Sequence, residues 1–294
     1  QRQMCIRDSY TGANASTADF LRFVCETAKA NDPDCYLVGE AWTDEATILT
    51  LYESGIDSLF NFPASDSTGR FVKAALAGKS STVASAQADW NARIRAVSPA
   101  SVDAPFVSNH DMARARGMLR SKVPNEKAAA LLYLLMPGVP TVYYGEELGM
   151  SGSGSDENKR LPMVWSSDAA TQCKAPAAAD QAQRLTDGVA EQDSDADSLL
   201  NWYRQLIALR NLAPELTRGE MTALDGGNDA ICAYTVTDAG STVAIISNVS
   251  QKDTLTVSLD VLRGAELLGG IGGAAFADGT ANLPPLSGII VRLP

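Results

Sequence analysis

The chain has 294 residues, room for one large domain or two smaller ones. Its 24 basic and 35 acidic residues give a formal net charge of -11, which argues against a nucleic-acid binder, because phosphate contacts need clustered Lys and Arg. No apolar run approaches a membrane span, since residues 128–136 form a stretch far too short, and a single histidine excludes a histidine-rich zinc site.

In chain order, residues 17–30 read as an amphipathic helix, with Phe20, Leu21, Val24 and Cys25 at helical spacing. Asn31-Asp32-Pro33-Asp34 breaks it. Residues 36–40 form an apolar strand that ends in Glu40, followed by Ala41-Trp42. Residues 43–54 read as a helix capped by Thr43 or Asp44, and residues 56–60 as a short strand. Residues 67–77 and 82–97 read as helices. Residues 103–108 form a strand that runs straight into Asn109-His110-Asp111. A helix over 125–135 is stopped by Met136-Pro137-Gly138, and residues 140–144 give another strand. Residues 166–197, rich in Ala, Asp and Gln, read as a surface connection, and residues 198–211 as a strong helix carrying Leu199, Trp202, Tyr203, Leu206, Ile207 and Leu209. This alternation implies parallel strands.

After Pro214 the pattern changes. Residues 231–236, 242–246, 254–259 and 288–293 are β-rich, and turn signals such as Asp225-Gly226-Gly227-Asn228 and Asp278-Gly279 separate them. They predict a small antiparallel sandwich. The five cysteines, Cys5, Cys25, Cys35, Cys173 and Cys232, lack metal-ligand spacing and are expected to be free, partly buried thiols; Cys25 and Cys35 could pair only if the helix holding Cys25 lies beside the strand holding Cys35.

Two strands thus end in polar clusters, Gly39-Glu40-Ala41-Trp42 and Ser108-Asn109-His110-Asp111. In a (β/α)8 barrel the C-terminal ends of strands are where chemistry is placed. Two carboxylates on one rim are what glycoside hydrolysis requires: an acid for the leaving oxygen and charge to stabilise an oxocarbenium-like transition state. Further along, Gly138-Val139-Pro140-Thr141-Val142-Tyr143-Tyr144-Gly145-Glu146-Glu147-Leu148-Gly149-Met150 and Arg160-Leu161-Pro162-Met163-Val164-Trp165 stand in order. With the two strand ends, they resemble the α-amylase superfamily, glycoside hydrolase family 13, from Tyr10 to the C-terminus. Gly-Glu at a strand end is weak alone, whereas several ordered motifs on a strand-helix-strand pattern are specific.

The resemblance implies an α/β fold: the C-terminal half of a (β/α)8 barrel over residues 10–213, parent strands five to eight, then the sandwich over residues 214–294. It also implies a nucleophilic Asp at the end of the fourth strand, in a Gly-Phe-Arg-hydrophobic-Asp-Ala motif. Residues 1–9 do not fit that motif: Arg7-Asp8 lacks the intervening hydrophobic residue, and no strand is expected before Asp8. These residues read as foreign sequence at a junction, to be set aside from fold reasoning. The expectation is a C-terminal piece of a longer enzyme, inactive as it stands.

Glu40 is the candidate general acid, which must hold a proton near neutral pH. Its alternative is a solvated rim carboxylate or a barrel salt bridge. Asp111, by resemblance, stabilises the transition state and holds sugar hydroxyls; its alternative is a helix N-cap. His110 is expected to donate to a sugar hydroxyl, and Asn109 to tie down its loop. Trp42 either stacks on a glucose ring or covers the rim. Asp156 and Arg160 either help to form an outer sugar subsite, as the resemblance implies, or make a surface ion pair worth little. Glu146 and Glu147 are expected to hold loops by hydrogen bonds.

The resemblance therefore points to a retaining α-glucoside hydrolase acting on α-1,4-glucan, starch or maltooligosaccharide. The charge suits a neutral polymer, which needs no electrostatic steering. Rivals are a transglycosylase or α-1,6-glucosidase of the same superfamily, and a non-catalytic glucan- or partner-binding protein on the same fold. No cofactor or metal is expected in these residues, because the family's usual calcium ligands lie upstream. Starch is too large to import, which favours export, although maltooligosaccharide enzymes also work inside cells.

Overall fold

The computed structural model describes residues 3–7, 15–182 and 185–294. The first part of the chain alternates strands with helices: β1 (Gln3–Arg7), α1 (Ala15–Asn31), β2 (Tyr36–Glu40), α2 (Glu45–Tyr52), β3 (Ser58–Phe60), α3 (Arg70–Ala77), α4 (Ser81–Val97) and β4 (Val102–Ala104). Helices α5 (Ala115–Met118), α6 (Val123–Leu135), α7 (Asp156–Lys159), α8 (Val189–Ser194), α9 (Leu199–Asn211) and α10 (Glu215–Arg218) follow. The remainder is β5 (Glu220–Leu224), β6 (Ile231–Asp238), β7 (Ser241–Asn248), β8 (Leu255–Ser258), β9 (Glu266–Ile271), β10 (Ala275–Ala277), β11 (Thr280–Leu283) and β12 (Ser287–Arg292). Among the described residues, no helix is long and apolar enough to cross a membrane.

Strands β1 to β4 form a parallel sheet in sequence order. The side chains alternate across it, as the two-residue period of a strand requires. Leu37 and Leu59 join Ile48, Leu51, Tyr52, Ile56, Trp90 and Ile94 in a buried cluster against the helices. Their neighbours Glu40 and Phe60 turn to the other face, where they line a cavity. Helix α2 starts where the sequence places it: the Asp44 carboxylate accepts the Thr47 N–H at 3.0 Å, leaving Asp44 rather than Thr43 as the cap.

Three expectations about strands need correction; in the first, residues 103–108 form a strand only as far as Ala104, where Pro105 lacks the N–H to continue it. Gln3–Arg7 was read as part of a junction with no strand, yet it pairs in parallel with β2, from Gln3 opposite Tyr36 to Arg7 opposite Glu40. The pairing uses backbone groups that any extended segment offers to an open strand edge, so it needs no motif. Asp8 lies outside the described residues. Residues 140–144, expected as the last strand, form no regular strand. They still run beside β4: Val139 N–H donates to Asp103 O at 2.8 Å and Thr141 N–H to Pro105 O at 2.9 Å. Pro140 between them has no N–H to extend a ladder.

The C-terminal part is two antiparallel sheets, β5-β6-β7-β12-β9 and β10-β11-β8. Ile231, Ala244, Ile246, Val257, Ala281, Leu283, Ile289 and Val291 are buried together as their shared core. The opposite face of the larger sheet does not meet solvent. Tyr234, Val243, Ile245 and Ile290 are buried in one cluster with Phe71, Leu131, Leu135, Leu206 and Leu209 of α3, α6 and α9. Tyr234 Oη donates to Leu135 O at 2.7 Å across this junction. The change after Pro214 is thus one of secondary structure, and the core continues through it.

Candidate active site

Glu40 closes β2 and is 9% exposed. Gly39 before it packs closely: a Cβ there would come within 2.5 Å of Leu59 Cδ2 on the neighbouring strand, so that leucine would have to shift. A cavity of about 200 Å3 opens at the C-terminal ends of the parallel strands, lined among others by Glu40, Phe60, Phe106, Asn109, His110 and Tyr143. The two strand-end motifs therefore meet at one rim.

Asn109 shapes the second motif. Its Oδ1 accepts the N–H groups of Asp111 at 2.9 Å and Met112 at 3.0 Å, the loop-holding role expected of it. Asp111 caps no helix, because α5 begins only at Ala115 with Arg114 in the N-cap position. Its Oδ1 lies 3.6 Å from His110 Nε2 and accepts Arg160 Nη2 at 2.7 Å. Arg160 Nη2 also reaches Asp156 Oδ2 at 3.2 Å, and Arg160 Nε donates to His110 O at 3.3 Å. Lys159 Nζ links Asp156 Oδ1 and Asp111 O, both at 3.0 Å. The Lys159 hydrogen bond and charge, with Arg160 beside them, hold the Asp156 carboxyl below its ordinary range. Asp156 and Arg160 thus form an ion pair, and that pair is attached to Asp111 rather than standing apart on the surface.

Trp42 does not line the cavity. Its ring stacks on Phe62 at 5.0 Å and 19°, Phe62 meets Phe106 edge-on at 5.1 Å, and Trp42 stays 53% exposed. It covers the rim with one part of its surface and leaves the other open. These distances bring Glu40 and His110 to one cavity, with Asp111, Arg160 and Asp156 in a chain beside His110.

The model of the family "Alpha amylase, catalytic domain" matches residues 4–219. The chain belongs to the α-amylase family. It is 27% identical over 269 residues to Alpha-amylase 3 of Dictyoglomus thermophilum, covering 90% of this chain and 53% of that protein. It is 29% identical over 237 residues to Alpha-amylase SusG of Bacteroides thetaiotaomicron, covering 75% of this chain and 32% of that one. Among solved structures, Eubacterium rectale Amy13B superposes with a TM-score of 0.91 at 32% identity, over 99% of this chain and 60% of the other. The α-amylase of H. orenii, at 24% identity, shares the fold with a TM-score of 0.81 over 94% of this chain and 57% of its own. The chain thus spans about half the length of the first of these relatives.

Behind this rim lies a buried carboxyl. Glu146 Oε1 accepts Tyr133 Oη and Tyr203 Oη, each at 2.8 Å, and Oε2 accepts Ser108 Oγ at 2.9 Å. It joins helices α6 and α9 to the residue before Asn109, so the expectation that it holds loops is met. Burial pushes its pKa up to about 7, against the pull of the three hydroxyl bonds. A carboxyl raised in the folded state favours folding most below its unfolded value and loses that contribution as pH rises through the folded one. The loss falls between about pH 4.5 and 7 and amounts to roughly 3 kcal/mol. Glu146→Gln keeps the shape and removes the charge. Thermal melts of both proteins should therefore diverge in favour of the Gln variant as pH is raised from 5 to 8. A constant difference across that range would show that Glu146 does not titrate there.

The sequence pattern does not mark three further residues near this rim. Tyr143 lines the cavity with its ring 6.5 Å from His110. Lys159 bonds the Asp111 carbonyl. Arg114 is 1% exposed and donates to backbone carbonyls of two other segments. The only signal for Arg114 was a long cation close behind Asp111 in an otherwise apolar stretch, Met112-Ala113-Arg114-Ala115.

Proposed function

We propose that this chain carries the acid–base part of the active site of a retaining α-glucoside hydrolase acting on α-1,4-glucan. The supporting observation is the cavity that Glu40 and His110 line together, with Asp111 Oδ1 3.6 Å from the His110 ring. The relatives' names, α-amylase, cyclomaltodextrinase and maltogenic α-amylase, agree with that substrate class.

In this reading a carboxylate from elsewhere in the protein attacks the anomeric carbon. The bond from that carbon to the leaving oxygen breaks as Glu40 delivers its proton to the oxygen. Glu40, now a carboxylate, takes a proton from water, and the resulting hydroxide oxygen displaces the enzyme carboxylate from the sugar. Asp111 and His110 hold hydroxyls of the sugar undergoing cleavage, and Arg160 with Asp156 bounds the adjoining subsite. Substrate hydroxyls then compete with Arg160 for the Asp111 carboxylate. This reading expects the attacking Asp in an Arg-hydrophobic-Asp strand end that precedes β2. The gene sequence upstream of Tyr10 tests that part: an apolar strand ending in Arg-hydrophobic-Asp supports it, and direct continuity with an unrelated reading frame contradicts it.

A second reading, transfer or α-1,6 cleavage, draws on relatives named Neopullulanase 2 and Trehalose synthase. Product analysis of the full gene product on maltoheptaose, panose and trehalose separates the two. Short maltooligosaccharides from maltoheptaose, with panose and trehalose left intact, support α-1,4 hydrolysis. Cleavage of panose at its α-1,6 bond, or rearrangement of trehalose, supports the second reading.

A further inference from the structure

Resting on the hydrolase reading above, we infer that Arg114 is a positioning residue, one that sets the spacing between the three chain segments forming the site without touching substrate itself. Its guanidinium is buried at the point where they meet. Nε donates to Lys159 O at 2.8 Å and Nη1 to Tyr144 O at 2.6 Å. Its Cζ lies over the rings of Tyr143 and Tyr144, 4.6 Å from each centroid. Its own backbone N–H donates to Gly152 O at 3.0 Å. One side chain thus fixes the segment carrying His110 and Asp111 against the cavity wall at Tyr143 and against the segment carrying Arg160.

Those contacts transmit to the reacting groups by short paths. Tyr143 Oη donates to Lys159 O at 3.1 Å, the carbonyl that Arg114 also binds. Lys159 Nζ returns to Asp111 O, and Arg160 to the Asp111 carboxylate. A displacement of Lys159 relative to Arg114 therefore moves both the cation on Asp111 and the ring facing His110. A lysine cannot replace this function, because one ammonium has no planar fork to reach two carbonyls while staying close to two rings. Misplacing catalytic groups by about 1 Å costs on the order of 10²-fold in rate.

The test is made on the full gene product with maltoheptaose, comparing Arg114→Lys with wild type. Tyr144→Leu serves as a milder variant, which removes one aromatic face, with the Tyr144 Oη hydrogen bond to Leu161 O, at a partly exposed position and puts folding at less risk. The turnover number is expressed per folded molecule, with the folded fraction taken from circular dichroism. Arg114→Lys is expected to lower kcat about 10²-fold with KM changed little, the signature of contacts that matter in the transition state. Tyr144→Leu is expected to show the same pattern, less strongly. If the losses vanish once corrected for folded fraction in either variant, Arg114 only stabilises the fold and this inference is overturned. A wild type that degrades no α-glucan overturns the hydrolase reading, and the inference with it.

Discussion

Glu40→Gln in the full gene product is expected to lower turnover of an unactivated maltooligosaccharide by about 10²–10⁴-fold, the usual contribution of a positioned general acid. KM should change little. The amide keeps the shape of a side chain that is buried at the strand end and lines the cavity, so substrate still finds its place. What the amide cannot do is deliver a proton to the leaving oxygen. A substrate whose leaving group needs no proton, such as an aryl glycoside with an acidic phenol, should therefore lose far less. Equal losses on both substrates would remove Glu40 from the role of acid.

Trp90→Ala carries the largest expected effect on stability. Trp90 is 1% exposed, packs with Leu37, Tyr52, Leu59 and Ile94, and donates Nε1 to Asp103 Oδ1 at 3.0 Å. The Asp103 carboxyl on β4 is fully enclosed, and burial raises its pKa against three hydrogen bonds, from Trp90, Asn61 at 2.8 Å and Gln87 at 2.6 Å. The truncation leaves a cavity and removes a donor from a buried carboxyl. Large aromatic-to-alanine changes in cores cost about 3–5 kcal/mol. Trp90→Phe, which removes mainly the donor, should cost about 1–3 kcal/mol. Urea unfolding measures both; a loss under about 1 kcal/mol for the alanine variant would show that this cluster does not anchor β4. The effect reaches the site because β4 leads directly into Phe106, Asn109 and His110.

The parts of the site legible in the sequence are those whose chemistry and position coincide. Glu40, His110 and Asp111 sit at the ends of apolar runs, and those strand ends, taken with the ordered motifs that follow, mark them as candidates. Arg114 and Tyr143 act through contacts between segments distant in sequence. Arg114 binds the carbonyls of Tyr144 and Lys159, and no local pattern encodes which carbonyl a guanidinium will meet. The fold shows the same division. Helices α1, α4, α6 and α9 stand where their apolar residues place them, although Phe20 of α1 and Ile207 of α9 are exposed and α6 is buried along its whole length from Ala128 to Leu135. Strands β9, β10 and β11 escaped because Gly269, Gly270, Gly272 and Gly273 dilute the apolar pattern and the pieces are short. Gly138 was read as a helix stop, and the structure adds a second reason for it: φ is +116° and a Cβ would lie 2.2 Å from Asp103 O. The chain must pass that closely to run beside β4.

Proton NMR of the first product released distinguishes a retaining α-glucan hydrolase whose acid is Glu40 from its alternatives. The full gene product is mixed with maltoheptaose, and the anomeric signals are followed before mutarotation mixes them. Retention through a covalent intermediate predicts that the new reducing end appears first as the α-anomer, and that Glu40→Gln abolishes its appearance on that timescale. Release of the β-anomer first, or unchanged α-anomer release by the Gln variant, would contradict it.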